Sequence, residues 1–114
     1  MKNVTLEVSD LKTVGDRFIK AWKSGKPQGS HISFASVELM LRVLTERRWE
    51  LLKAMTGQGP MSIREAARRV GRDVKAVHGD VHALLDSGVL HSTENGRIEF
   101  PFDAVHVDFK LRAA

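Results

Sequence analysis

Gly59-Pro60-Met61-Ser62-Ile63-Arg64-Glu65-Ala66-Ala67-Arg68-Arg69-Val70-Gly71-Arg72-Asp73-Val74-Lys75 is the stretch on which the fold turns. Gly59-Pro60 stops any helix that precedes it, because proline cannot continue one. Ser62 with Glu65 three residues later is a capping box. The Ser62 hydroxyl is expected to accept from the amide of residue 65, and the Glu65 carboxylate from the amide of Ser62. The helix started there runs to Val70, where Gly71 takes the left-handed position that ends it. Asp73 is expected to cap the next helix. Ala66 and Ala67 are small where the two helices would cross closely. Two helices joined by Gly71-Arg72-Asp73 read as a helix-turn-helix.

Toward the C-terminus, Val74, Val77, Val81, Leu84 and Leu85 make the inward stripe of a helix over 73–87. That leaves Lys75, Ala76, His78, Gly79 and His82 facing outward. Residues 89–92 and 97–100 flank Glu94-Asn95-Gly96. Asn-Gly is the strongest short signal of a hairpin, since both residues tolerate positive φ. Val105, Val107, Phe109 and Leu111 then alternate with polar residues and predict a last strand.

Toward the N-terminus, Trp49, Leu51, Leu52 and Met55 form the buried face of a helix ending at Thr56. Thr45 either caps it or lies within one continuing helix. Ser36 caps an apolar helix carrying Val37, Leu39, Met40, Val43 and Leu44. Val4, Leu6 and Val8 share one face of a short strand. Ser9 is expected to cap a helix over 10–23 bearing Leu11, Val14, Phe18 and Trp22, and residues 31–34 form a second strand. Helix, helix, tight turn, helix and hairpin is the element order of a winged helix-turn-helix. The expected fold is α/β in the α+β sense. An N-terminal β-α-β arm over 1–35 is expected to dimerise. A winged helix-turn-helix domain over 36–114 follows, with a closing C-terminal strand.

Composition narrows the function. Hydrophobic residues are 42% and charged residues 28%, which fits a globular domain rather than a disordered chain. No apolar run approaches the roughly 18 residues that a membrane span needs. The first residues alternate polar and apolar and lack a signal-peptide core. No cysteine is present, which removes disulfides and thiolate zinc sites. Together these features lead to an expectation of a cytoplasmic protein with no membrane partner. No paired carboxylates, Ser-His-Asp set, phosphate loop or metalloenzyme motif appears, so an enzyme is not expected. His78 and His82, one turn apart, are half of a metal site. They read more simply as exposed residues, and neither metal nor cofactor is expected.

Charge is unevenly placed. Residues 42–76 carry nine Lys/Arg against four Asp/Glu, and residues 77–114 carry three against six. A basic centre beside an acidic tail suits double-stranded DNA, although a solvated helical surface has the same composition. In the DNA reading, Arg64, Arg68, Arg69 and Arg72 contact phosphate. The exposed face of 73–82, namely Asp73, Lys75, Ala76, His78, Gly79 and His82, meets base edges. Arg97, just after the hairpin turn, reaches the minor groove. Val4, Leu6, Val8, Ile32, Phe34, Val107 and Phe109 are more strand apolar surface than one small winged domain needs, which predicts a homodimer.

Three segments also carry a resemblance: Thr45-Glu46-Arg47-Arg48-Trp49-Glu50-Leu51-Leu52, the stretch from Gly59 to Lys75, and Val77-His78-Gly79-Asp80-Val81-His82-Ala83-Leu84. They resemble a family of predicted prokaryotic winged-helix transcriptional regulators related to the MarR-type repressors, some of them described as antitoxins encoded beside a toxin. The resemblance implies a dimeric DNA-binding regulator, a repressor by type. Its alternative is an antitoxin that binds and neutralises a toxin and also represses its own operon. Gly79 departs from the pattern, which has a long polar or basic residue at that position.

Overall fold

The computed structural model describes residues 2–9, 30–111 and 113. The helix expected over 10–23, with Phe18 and Trp22, lies outside the described residues. The elements in chain order are β1 (Asn3–Val8), β2 (Ser30–Phe34), α1 (Val37–Val43), α2 (Glu46–Met55), α3 (Ile63–Val70), α4 (Val74–Asp86), β3 (His91–Ser92), β4 (Ile98–Glu99) and β5 (Ala104–Asp108). The fold is a compact α+β arrangement with four helices among the described residues. One sheet is parallel and three-stranded, the other an antiparallel pair.

The parallel sheet has the order β2-β1-β5. Val4 faces Ser30 and Leu6 faces Ile32 on one side of β1, and Val4 faces Val105 and Leu6 faces Val107 on the other. Parallel neighbours cannot be joined by a tight turn, and residues 9–29 separate β1 from β2 in the sequence. The strand expected to close the 36–114 unit therefore completes the sheet of the 1–35 segment, with β1 in the middle. Asp103 pins this junction: its amide donates to the Lys2 carbonyl at 2.6 Å, and its carboxylate accepts from the Lys2 amide at 2.9 Å.

Period-2 alternation decides what the strands bury. Val4, Leu6 and Phe34 join Met40, Leu51, Leu52, Met55, Val77, Val81 and Leu84 in one core that spans sheet and helices. This corrects the argument for a dimer. Val4, Leu6 and Phe34 are consumed inside the chain, while Val107 and Phe109 remain 38% and 44% exposed.

Serine and threonine caps set the helix starts. Ser36 Oγ accepts from the Leu39 amide at 3.1 Å. Thr45 Oγ1 accepts from the Arg48 amide at 3.4 Å, so α1 and α2 are two helices rather than one. α3 packs on both α2 and α4. Ala66 and Ala67, fully buried, permit that close approach. Among the described residues, no helix is long and apolar enough to cross a membrane.

Candidate nucleic-acid interface

The turn from α3 to α4 is built as its residues dictate. Gly71 has φ 66°, a conformation that strains any residue with a Cβ. Its amide and that of Arg72 both reach the Ala67 carbonyl, which satisfies the end of α3. Asp73 stands at the N-cap of α4 in an extended conformation, yet its side chain makes no capping bond. The expected cap is thus positional only, and the Asp73 carboxylate stays exposed.

The capping box of α3 is half formed. Ser62 Oγ accepts from the Glu65 amide at 3.0 Å, as expected. The Glu65 carboxylate does not reach back to Ser62, because two arginines claim it. Arg68 Nε donates at 2.9 Å and Arg69 Nε at 3.0 Å. Arg68 first, then Arg69, holds the Glu65 carboxyl at about 2. Competition from guanidiniums one turn away was absent from the reading of the box as a closed pair.

These ion pairs sort the expected phosphate ligands. Arg64 is exposed and has no ion pair among the described residues. The Arg68 side chain is 72% exposed and keeps its Nη1 free of the pair with Glu65. Arg69 is folded back: its Nη1 donates to Gln58 Oε1 at 3.0 Å while its Nε holds Glu65. Of these two neighbouring arginines, Arg68 is therefore the one presented to solvent.

Arg72 departs further from its expected role. Its Nη2 donates to Asp80 Oδ2 at 2.8 Å, and its side chain is only 18% exposed. Arg48 Nε donates to the other oxygen of the same carboxylate at 3.0 Å. Arg48 Nη1 continues to the carbonyls of Val43 and Arg42 at the end of α1. Burial pushes the Asp80 carboxyl up, and the Arg72 and Arg48 guanidiniums outweigh it, so the group lies below the usual aspartate range. Asp80 thus ties α1, α2 and the turn onto α4. The sequence signal was its position, three residues after Val77 and four before Leu84, on the flank of the buried stripe. Its partner Arg48 lies too far away in sequence to be paired with it by spacing.

On α4 the inward stripe narrows to Val77, Val81 and Leu84, with Leu85 packed at its edge. Val74 is 39% exposed, against the expectation that it faces inward; it lies in the first turn, where less of the helix is covered. Lys75, Ala76, His78, Gly79 and His82 are all exposed, as expected. A Cβ added at Gly79 meets nothing within 4 Å, so intramolecular packing does not require glycine there. His78 and His82 bring their Nε2 atoms to 3.1 Å with ring centroids 4.2 Å apart. Which nitrogen donates depends on the tautomers of the two rings. Among the described residues no group of three His, Asp or Glu converges as a metal site.

The hairpin pairs His91 with Glu99 and Ser92 with Ile98. Its turn differs from expectation. Gly96 alone has positive φ, at 74°, and Asn95 does not. The Gly96 amide donates to the Thr93 carbonyl at 3.1 Å, and Thr93 and Arg97 then pair through backbone at 2.8 Å. The loop is therefore the longer kind that ends in a left-handed glycine, not the two-residue kind. Arg97 follows it, exposed and without an ion pair among the described residues. Met61 bridges Ile98 in both directions at 2.9 Å, which fixes the hairpin beside the start of α3. Of the cations expected to contact DNA, those still presented to solvent are Arg64, Arg68, Lys75 and Arg97, carried by three adjoining elements.

The family model described as HVO_A0114 matches residues 43–107, from the end of α1 into β5. No curated protein matches the chain.

Proposed function

The chain belongs to the HVO_A0114 family, and on that premise we propose that it is a sequence-specific, dimeric DNA-binding regulator of the repressor type, acting in the cytoplasm. In this reading α2, α3, α4 and the β3–β4 hairpin are a winged helix-turn-helix. The Met61–Ile98 bridge supports that reading because it seats the hairpin against the helix pair as a wing. The MarR-like resemblance of the same segments points the same way.

The observation that carries the reading is the outer face of α4. Lys75, Ala76, His78, Gly79 and His82 stand exposed together on it. Asp80, whose charge would repel a polyanion, is neutralised by Arg48 and Arg72. Small and hydrogen-bonding side chains on such a face suit the edges of bases in a major groove. Arg64, Arg68 and Arg97 then supply phosphate contacts around it. A second reading, an antitoxin whose partner is a toxin protein, is favoured by exposed Leu41, Phe109 and Leu111.

The test is binding to DNA from the protein's own upstream region, followed by fluorescence anisotropy across a range of salt. Each phosphate contact lowers log affinity with log salt by a slope of about −0.9. The three phosphate contacts predict a slope of roughly −3 per chain. A flat salt dependence contradicts the proposal.

A further inference from the structure

Between α2 and the end of α3 lies an open cleft of about 430 Å³. Arg47 and Lys53 of α2, Arg69 of α3 and Arg72 of the turn line it, with Glu50 as their acidic neighbour. Four cations against one carboxylate leave a local excess of positive charge. Part of that charge is met from outside the cleft, since Arg69 holds Glu65 and Arg72 holds Asp80. Lys53 approaches Glu50 only at 3.7 Å, with both side chains more than half exposed, and such pairs contribute little. Arg47 is exposed and has no ion pair among the described residues.

Arg72 supplies the second observation. Only its Nη2 is bonded, to Asp80. Its Nε and Nη1 are buried with no hydrogen-bond partner among the described residues. A guanidinium is a fork of five donors that fits both oxygens of a carboxylate or phosphate. Leaving buried donors unmade is costly. Here a guanidinium of that kind borders a cleft in which Arg47 has no ion pair among the described residues and Lys53 meets only the exposed Glu50.

We infer that this cleft binds a small ligand through a phosphate or carboxylate group, and that the bound anion competes with Asp80 for Arg72. The volume suits a small metabolite carrying two or more negative charges. Arg47 and Lys53 attract it, and Arg69 and Arg72 grip it by hydrogen bonds as well as charge. Competition for Arg72 reaches α4 directly, because Asp80 is an α4 residue held by Arg72 on one oxygen and Arg48 on the other. Drawing Arg72 toward the cleft loosens the turn from α4. The coupling to DNA rests on the proposed function, whereas the anion site does not. If both hold, ligand and DNA alter each other's affinity by one common factor.

A backbone phosphate of DNA offers the same chemistry, so the experiment separates the two sources. Pyrophosphate is titrated into the DNA-free protein by calorimetry, beside the double variant Arg47→Ala/Lys53→Ala. Both residues are surface-exposed, and circular dichroism confirms that the variant folds. The expected result is saturable binding of one pyrophosphate per chain, weakened at least tenfold in the variant. DNA affinity of the variant stays unchanged without pyrophosphate. Saturating pyrophosphate shifts DNA affinity of the parent protein beyond a sodium chloride control of equal ionic strength, and does not shift that of the variant. Equal, unsaturable heats from parent and variant overturn the site. So does a variant that loses DNA binding while the parent ignores pyrophosphate, because the cleft is then a backbone contact. Pyrophosphate bound by the parent and lost by the variant, with no DNA bound at any salt, upholds the site and sinks the proposed function instead.

Discussion

Asp80 carries two arginines on one carboxylate, and the arrangement has a definite energetic sign. Its side chain is 16% exposed, so its charge is neither fully solvated nor fully sequestered. Removing one member of a buried ion pair costs about 3–5 kcal/mol, and of an exposed pair about 0–1. Asp80→Asn is therefore expected to destabilise the chain by about 1–3 kcal/mol at neutral pH. The folded-state pKa is lowered, so the stabilisation is full above the unfolded value of about 4 and is lost as pH falls through the lower folded value. Urea denaturation of parent and variant should show a gap at pH 7 that closes in strong acid. A gap that stays constant with pH would place the loss in packing rather than charge.

At the scale of the element, α4 holds both the clearest sequence signal and a local cost. Gly79 sits mid-helix, where glycine is worse than alanine by about 1 kcal/mol, and no neighbour needs the space. Gly79→Ala should raise Tm by about 3–6 °C. If the α4 backbone approaches DNA at this point, the same variant loses DNA affinity while gaining stability. Scanning calorimetry and anisotropy on one preparation distinguish the two effects, and a gain in stability with undiminished affinity removes Gly79 from the interface. The helices and their buried faces were legible because their signals are local: Ser36, Thr45, Ser62, Gly71 and the Val77-Val81-Leu84 stripe each act within a turn or two. The exposed set on α4 followed from that stripe by subtraction. What spacing did not reveal was the reach of charge. Arg72, Arg69 and Glu65 were assigned by position, and each is committed to another residue. Arg72 and Asp80 are eight apart, and Arg48 and Asp80 thirty-two. Likewise Asn95-Gly96 announced a hairpin but not its turn type, because the Thr93 contacts that select it come from outside the dipeptide.

For the whole molecule, the parallel sheet bears on where the second copy of the proposed dimer would attach. β1 is central and its apolar face is covered, so removing residues 1–35 would destroy the sheet rather than isolate an interface. β5 lies at an edge of the sheet, with Val107 exposed on it and Phe109 exposed just beyond its end. Charged substitutions protect such edges from pairing. Val107→Lys with Phe109→Lys should therefore convert a dimer to a monomer in sedimentation velocity without lowering Tm, whereas an unchanged sedimentation coefficient would place the two-fold contact elsewhere. The proposed dimer would present two α4 helices to DNA, and its proposed reading of DNA reduces to whether that face recognises bases or merely carries charge. The most direct measurement compares Lys75→Ala with Arg64→Ala on the upstream site and on random DNA of equal length. Arg64, free on α3, should lower affinity for both DNAs alike and reduce the salt slope by about one contact. Lys75, on the exposed face of α4, should cost about 1–3 kcal/mol on the specific site and much less on random DNA. Equal losses on both DNAs for both variants, or no loss for either, would contradict the assignment of α4 as the recognition helix.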